Sequence, residues 1–156
     1  MPERNFTKAN SRWSMDFVSD RTRYGANIRI LTLIDEATRE CLALEADSSL
    51  SGRRVCAVLN NVAIFRGMPK EILTDNGSEL TSNYMNAWAY DHKVAHIFTV
   101  PGKPTQNGYI ESFNGKLRDE CLNQHWFKNL TEAKKTIEDW RQSYNKIRPH
   151  SSLGQL

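Results

Sequence analysis

Three carboxylates stand in segments of this sequence where an isolated charge is costly. Asp16 lies in Trp-Ser-Met-Asp-Phe-Val, Asp75 in Thr-Asp-Asn-Gly and Glu111 in Tyr-Ile-Glu-Ser-Phe-Asn-Gly, and thirty-five residues separate Asp75 from Glu111. Bound divalent cations would remove the cost of holding these charges in apolar or tightly turned segments. Two oxygen-ligated ions held ~3.5–4 Å apart can stabilise the attacking and leaving oxygens of a phosphodiester reaction. The three acids therefore indicate metal-dependent cleavage or strand transfer.

Each acid by itself also has an ordinary structural explanation. Asp75 before Asn-Gly is typical of a turn, and Glu111 near a helix start is a favourable partner of the helix dipole. Asp16 is harder to explain in this way, because it alternates with bulky apolar residues in a strand where a carboxylate is typically paired or metal-bound. Asp20 and Asp35 are the nearest competing acids, and both are expected to face solvent where strands end.

Several ordered motifs extend over nearly the whole chain. They are Asn10-Ser-Arg-Trp-Ser-Met-Asp-Phe, Ile34-Asp-Glu-Ala-Thr-Arg-Glu, Leu73-Thr-Asp-Asn-Gly-Ser-Glu, Pro101-Gly-Lys-Pro-Thr-Gln-Asn-Gly-Tyr-Ile-Glu-Ser-Phe-Asn-Gly-Lys-Leu-Arg-Asp-Glu and Tyr144-Asn-Lys-Ile-Arg-Pro-His-Ser-Ser-Leu. In order and interval they resemble the DDE transposases and retroviral-type integrases, and among these the IS3-type insertion-sequence transposases. The resemblance implies that Asp16, Asp75 and Glu111 are catalytic ligands of Mg²⁺ or Mn²⁺, with two ions bound, in a ribonuclease H-like fold.

Alternating apolar residues predict five short strands, three in an antiparallel meander and two that alternate with helices. This order of elements predicts an α/β fold with a five-stranded mixed sheet and helices on both faces. Asp16 is expected within the first strand and Asp75 at the end of the fourth. That the fourth strand neighbours the first, and that a helix brings Glu111 over both acids, is implied by the resemblance. The predicted strands are residues 12–18, 27–34, 40–46, 70–74 and 94–100.

Three- and four-residue spacing of apolar side chains predicts four helices. The first begins at Ser51 and is ended by Gly67 and Pro69, and the second begins after a cap at Thr81 or Ser82. The third covers 109–122, with Glu111 in its first turn. The fourth begins at Thr131 and ends at Pro149. Their predicted apolar faces contain Val55, Val58, Leu59, Val62 and Phe65 in the first, Met85, Trp88 and Ala89 in the second, and Ala133, Ile137, Trp140, Tyr144 and Ile147 in the fourth.

The third predicted helix also offers groups that could bind DNA. Asn114 and Arg118 follow Glu111 by three and seven residues and share its helix face, so Arg118 is expected to point towards the metals and grip a phosphate. The alternative for Arg118 is an exposed helical arginine. Lys116 lies about 140° around the helix, and its DNA contact is a weaker expectation.

The loop before this helix contains two prolines and two glycines within residues 101–108. Polar side chains in such a segment beside a metal site are suited to contact substrate, and Lys103, Gln106 and Asn107 are the candidates. An ordinary connector is the alternative. Arg148-Pro149-His150 belongs to the resemblance, and no catalytic duty follows from its chemistry.

Composition sets the remaining expectations. A chain of 156 residues with a net charge of +3 fits one domain and is compatible with a polyanionic partner, without proving one. We expect a flexible segment over 1–11, the catalytic core over 12–150 and a tail over 151–156. No apolar run is long enough to span a membrane, so a cytoplasmic, nucleoid-associated protein of bacteria is expected.

The cysteines, histidines and tryptophans indicate structural roles. Three widely separated cysteines suggest neither disulfides nor a zinc site, and the histidines show no metal-ligand spacing. Packing or surface roles are expected for the histidines, and core or interface roles for three of the tryptophans. These residues are Cys41, Cys56 and Cys121; His92, His96, His125 and His150; and Trp88, Trp126 and Trp140.

The sequence thus favours the catalytic core of an insertion-sequence transposase, acting on element ends and target DNA as a dimer or larger homo-oligomer. One alternative is a metal-dependent ribonuclease H-like nuclease that stops at hydrolysis, and another is a catalytically silent DNA-binding assembly module. No helix-turn-helix is predicted, and the resembling transposases carry DNA-binding helices upstream. The chain is therefore expected to be joined to such a region and to bind DNA without sequence preference.

Overall fold

The computed structural model describes residues 8–75, 79–99 and 108–154 of the 156. Within these ranges the chain forms one mixed sheet, its covering helices and a short 3₁₀ turn at Leu122–Gln124. The strands are β1 (Arg12–Arg21), β2 (Asn27–Asp35), β3 (Cys41–Asp47), β4 (Glu71–Thr74) and β5 (Ala95–Phe98). The helices are α1 (Gly52–Arg66), α2 (Glu79–His92), α3 (Gly108–Glu120) and α4 (Leu130–Gly154).

The strand order in the sheet is β3-β2-β1-β4-β5. β1 pairs antiparallel with β2, and β2 with β3, whereas β4 runs parallel to both β1 and β5. The predicted five-stranded mixed sheet is confirmed. β4 covers only the first part of β1, because its pairing with β1 extends from Arg12↔Glu71 to Ser14↔Leu73.

Each face of the sheet has its own apolar core. Trp13 and Met15 of β1 pack on one side with buried residues of α1 and α2. Val18 of the same strand packs on the other side with buried residues of α3 and α4. This is the alternation of side chains expected of a strand covered on both faces, and it places Asp16 on the same face as Val18 and α3.

α1 begins and ends where the sequence predicts. The Ser51 hydroxyl accepts a hydrogen bond from the Arg54 N–H at 3.1 Å, which satisfies one free donor of the first turn. After Arg66, Gly67 takes a φ of 86°, and its N–H donates to the Ala63 carbonyl at 2.8 Å. A glycine adopts this positive φ without the strain that a side chain would add.

Two predicted helix limits are wrong. α2 already begins at Glu79, so neither Thr81 nor Ser82 is its cap. α4 begins at Leu130 and passes through Pro149 to Gly154. A proline removes one backbone donor and crowds the carbonyl four residues earlier, which disfavours a helix without always ending it.

Three side chains predicted to be buried are largely exposed. Phe65 is 93% exposed, Trp126 74% and Ile147 69%. Periodicity fixes the phase of a side chain on its helix but not how far the neighbouring element extends. Phe65 lies in the last turn of α1, whereas Val55, Val58 and Leu59 of the same face are buried.

Asp35 is buried, and the prediction that it faces solvent is wrong. Its Oδ2 accepts hydrogen bonds from the Arg66 guanidinium and the Asn10 backbone N–H, both at 2.8 Å, and its Oδ1 accepts from the Ala37 N–H at 2.8 Å. This pairing offsets the cost of burying the carboxylate. Asp35 therefore joins the end of β2 to the C-terminal end of α1.

No helix in the described ranges combines the length and apolar character needed to cross a membrane. Cys41, Cys56 and Cys121 are free thiols.

Candidate active site

Asp16 lies near the middle of β1, half-buried beneath α3. Its Oδ2 accepts a hydrogen bond from the Asn114 side-chain amide at 3.0 Å. Burial raises the pKa of Asp16 above its ordinary value of 3.8, and the backbone N–H of Phe17 partly opposes this by stabilising the carboxylate. The negative charges of Asp75 and Glu111 raise the pKa further, whereas the Asn114 amide lowers it.

Asp75 reaches this region through the parallel pairing of β4 with β1. Ser14 and Leu73 are register partners, so a shift of two residues along each strand gives Asp16 and Asp75. Asp75 directly follows β4 and is exposed. A carboxylate at the carboxyl end of a parallel strand is placed by the strand yet remains accessible from solution.

Glu111 lies in the first turn of α3, and it is also exposed. Ile110, Phe113 and Leu117 anchor this helix in the core. Residues of the adjacent helix face are consequently directed along β1, where Asn114 contacts Asp16. The effect of Glu111 and Asp75 on the pKa of Asp16 indicates that three charges from three separate elements share one region.

No described cation neutralises these three acids. The ion pairs among described residues involve other carboxylates. Among the described residues, no group of three His, Cys, Asp or Glu side chains stands close enough to hold a metal ion. The three acids therefore share an electrostatic environment without forming a closed coordination shell.

Asn114 has a more specific position than the sequence predicts. It was expected to face DNA, and its Nδ2 instead donates to Asp16. Its Oδ1 is buried and has no hydrogen-bond partner among the described atoms. A buried acceptor of this kind usually has a partner, so Oδ1 is free to accept a hydrogen bond from an incoming group.

Arg118 and Lys116 are not directed at the acids. The Arg118 guanidinium donates to the Ser19 carbonyl at 3.3 Å, further along β1, and the side chain is exposed. Lys116 forms an ion pair with Glu120 at 3.7 Å. The other predicted DNA contacts, Lys103, Gln106 and Asn107, lie outside the described residues.

His96, predicted only to have a packing or surface role, is a neighbour of the site. Its Nε2 lies 2.8 Å from Thr74 Oγ1, and its Nδ1 lies 2.7 Å from Asn86 Oδ1. Because the amide oxygen of Asn86 only accepts, Nδ1 carries the proton and Nε2 accepts from the Thr74 hydroxyl. Burial lowers the pKa of His96, which favours this neutral ring. Thr74 immediately precedes Asp75, so His96 fixes the end of β4.

Comparison with known protein families gives two matches. Models of the integrase core domain match residues 7–104 and residues 92–156, and together they span nearly the whole chain.

Bacterial insertion elements encode similar proteins. A 39.2 kDa protein of insertion element IS476 from Xanthomonas euvesicatoria is 51% identical over 94% of this chain and 42% of the relative. A 31.7 kDa protein of IS407 from Burkholderia multivorans is 48% identical over 94% of this chain and 53% of the relative. The transposase InsF of IS3A from Escherichia coli is 24% identical over 94% of this chain and 52% of the relative. The chain spans about half the length of these relatives.

Solved structures with the same fold include retroviral integrases. The dimeric HTLV-2 integrase catalytic core domain in complex with magnesium superimposes with a TM-score of 0.64 at 15% identity, over 89% of this chain and 88% of that one. The simian T-cell lymphotropic virus intasome in complex with the PP2A regulatory subunit B56 gamma superimposes with a TM-score of 0.65 at 21% identity, over 74% of this chain and 41% of that one. The chain belongs to the integrase core domain family and has its ribonuclease H-like fold.

Proposed function

We propose that this chain is the catalytic core of an insertion-sequence transposase, which performs metal-dependent DNA cleavage and strand transfer. The observation that carries the proposal is the placement of Asp16 on β1, Asp75 at the end of the adjacent β4 and Glu111 on α3, a helix that contacts β1 through the Asn114–Asp16 hydrogen bond. Similarity to proteins of insertion elements supports the same activity.

The chemistry of the three acids fits two bound ions of Mg²⁺ or Mn²⁺, since both metals bind oxygen ligands. Such ions would neutralise the carboxylates and stabilise the charge that develops on a scissile phosphate. Asp16, Asp75 and Glu111 would hold them. The charges of Asp75 and Glu111 raise the pKa of Asp16, and bound cations would relieve this repulsion.

Asn114 would orient Asp16 in this site. Its amide donates to Oδ2 of Asp16 and so restricts the rotation of that carboxylate. A fixed carboxylate loses less conformational freedom when it binds a metal than a mobile one does. His96, through Thr74, would restrict the chain just before Asp75 in the same way.

DNA would be held by Arg118, Lys116, Asn114 and the loop residues Lys103, Gln106 and Asn107. Arg118 is exposed and makes one hydrogen bond, to Ser19, so it can turn towards a phosphate at small cost. The partners would be element ends and target DNA, bound by a dimer or larger homo-oligomer in the bacterial cytoplasm. The dimeric and DNA-assembly forms of the structural neighbours support this arrangement.

Cleavage and joining of an oligonucleotide that carries an element end tests the proposal. We expect cleaved and joined products with Mg²⁺ and none with EDTA, and none from Asp75→Asn with either. Asp139→Asn is the matched control, because Asp139 is an exposed acid of α4 whose partner among the described residues is Lys135. Cleavage without joining would instead indicate a nuclease. Activity of Asp75→Asn equal to that of the control would refute the site.

A further inference from the structure

Two short segments rich in cations and aromatic side chains meet at one end of the molecule. They are Arg21-Thr-Arg-Tyr24, at the end of the β1–β2 hairpin, and His125-Trp-Phe-Lys128, which connects α3 to α4. The Arg23 N–H donates to the Phe127 carbonyl at 2.8 Å, so the two backbones are in direct contact. We call Arg21, Arg23, Tyr24, Trp126 and Lys128 the tip patch.

The hairpin half of the tip patch has a well-fixed backbone. Thr22 is buried, its N–H donates to the Ala26 carbonyl at 2.9 Å, and its hydroxyl accepts from the Ala26 N–H at 3.1 Å. Tyr24 is nevertheless 78% exposed, with the Arg23 guanidinium 5.8 Å from its ring centroid. The hairpin therefore exposes an aromatic ring and a neighbouring cation to solvent.

The connector half is anchored on both sides of Trp126. Phe127 is buried in the core, and the His125 ring stacks on it with an interplanar angle of 7° and is hydrogen-bonded to the Cys121 carbonyl at 2.8 Å. Trp126 itself is exposed. A large aromatic side chain presented by a fixed backbone loses little conformational freedom on binding, which favours a partner that contacts its face.

The charge of the tip patch is positive. Its two segments contain three Arg and Lys residues and no Asp or Glu. The neighbouring acids are engaged by backbone donors, since Asp20 accepts from the Arg21 N–H at 2.8 Å and Glu132 from the Lys128 N–H at 3.4 Å. Cations interleaved with exposed aromatic rings complement phosphates and unpaired bases together.

The tip patch is also continuous with the candidate active site. α3 and β1 run in the same direction, since Asn114 contacts Asp16 and Arg118 contacts Ser19. At ~3.3 Å per strand residue, Arg21 lies roughly 17 Å beyond Asp16. A strand within a duplex advances ~3.4 Å per nucleotide along the axis and an unpaired strand can be more extended, so this distance corresponds to at most about five nucleotides.

We propose that the tip patch binds an unpaired segment of the DNA strand within about five nucleotides of the phosphate held at the three acids. Bases stack on Tyr24 and Trp126, while Arg21, Arg23 and Lys128 contact phosphates. The bound strand is unpaired because the stacking of successive base pairs within a duplex covers the faces of the bases. The five-nucleotide position rests on the proposed function, whereas binding of unpaired DNA does not.

Oligonucleotide binding by this chain in EDTA tests the proposal without catalysis. Fluorescence anisotropy of a labelled single-stranded oligonucleotide and of the matching duplex would be compared for wild type, Tyr24→Ala and Trp126→Ala. Base stacking on an aromatic side chain predicts at least about fivefold weaker single-strand binding for each variant. Duplex binding should change less. Tyr90→Ala is the matched control, because Tyr90 is an equally exposed tyrosine on α2.

Two further readouts separate the outcomes. Oligonucleotide should quench the exposed Trp126 fluorescence, and Trp126→Phe should lose most of that quenching while retaining binding. Single-strand affinity equal to wild type in both alanine variants, or lowered equally by Tyr90→Ala, would overturn the proposal. Loss of self-association with unchanged DNA binding would also overturn it and assign the tip patch to a second copy of the chain. Failure of Mg²⁺-dependent cleavage would affect only the proposed function.

Discussion

Asp16 destabilises the metal-free protein when it is ionised, because it is half-buried near the charges of Asp75 and Glu111. Its folded-state pKa is raised, so its favourable contribution to stability is present below the ordinary value of 3.8 and is lost as the pH rises through the folded-state pKa. We expect Asp16→Asn to raise the thermal midpoint in EDTA at neutral pH, with a much smaller gain in acid.

The measurement is thermal unfolding over a pH series, with and without Mg²⁺. Mg²⁺ should stabilise wild type and have little effect on Asp16→Asn, because a ligand stabilises only the state that binds it. Asp139→Asn serves as the control for removal of an exposed carboxylate. A lower thermal midpoint for Asp16→Asn than for wild type in EDTA would contradict the predicted repulsion of Asp16 by Asp75 and Glu111.

Asn114 gives a second prediction at the residue scale. Asn114→Ala removes the side-chain donor to Asp16, so the pKa of Asp16 should rise further and Mg²⁺ should bind more weakly. Loss of an outer-shell partner typically lowers metal affinity or activity about 10–100-fold. Mg²⁺ titrations of unfolding temperature and of cleavage would measure this, with Asn123→Ala as an exposed control. If unfolding temperature and cleavage depended on Mg²⁺ in Asn114→Ala as they do in wild type, Asn114 would not position Asp16.

Residue types and spacing were enough to nominate the three acids, because each stands in a local motif. They were not enough for the contacts that organise the region. Asn114 and Asp16 are separated by 98 positions, and His96 and Thr74 by 22, so only the folded sheet brings them together. Arg118 shows that helical phase does not fix the end of a long side chain: its phase matches that of Glu111, and its guanidinium donates to the Ser19 carbonyl.

Among the elements, the contact between α1 and α2 depends on Gly52. A Cβ added there would lie 2.5 Å from the Tyr84 ring, far inside van der Waals contact. Gly52→Ala should therefore destabilise the fold by about 1–3 kcal/mol, the usual cost of overpacking. Gly115→Ala is the matched control, because a Cβ at Gly115 meets nothing within 4 Å and α3 should gain up to ~1 kcal/mol in helix propensity.

Urea unfolding at equilibrium would compare the two variants. Opposite signs are expected, and equal stability of Gly52→Ala and Gly115→Ala would show that Tyr84 moves aside without cost.

The sequence predicts the elements well where apolar periodicity is strong and poorly at their ends. Alternation in β1 assigns Met15 and Val18 to opposite cores, as observed. The same reasoning misplaces Phe65, because the reach of the neighbouring elements decides which turns of α1 are covered. Asp35 was misjudged for a related reason, since its partners Arg66 and Asn10 come from distant segments.

At the scale of the whole molecule, all described elements belong to one sheet and the helices that cover it. None is free to enter a major groove as a separate reading helix, which is the common route to sequence recognition. We therefore expect this chain to bind an element end and a scrambled duplex with nearly equal affinity that falls steeply with salt. Competition binding at fixed salt measures the ratio. A preference of about a thousandfold, typical of specific binding, would contradict this.

The parallel pairing of β1 with β4 also affects how the protein is made. The β1–β2–β3 meander consists of neighbouring segments and can form early, whereas β1 finds β4 only after β2, β3 and α1 have been synthesised. Glu111 arrives later still, on α3. A nascent chain therefore contains all three acids only once α3 has been made, and under the proposed function a chain that ends before α3 lacks one ligand of the metal site.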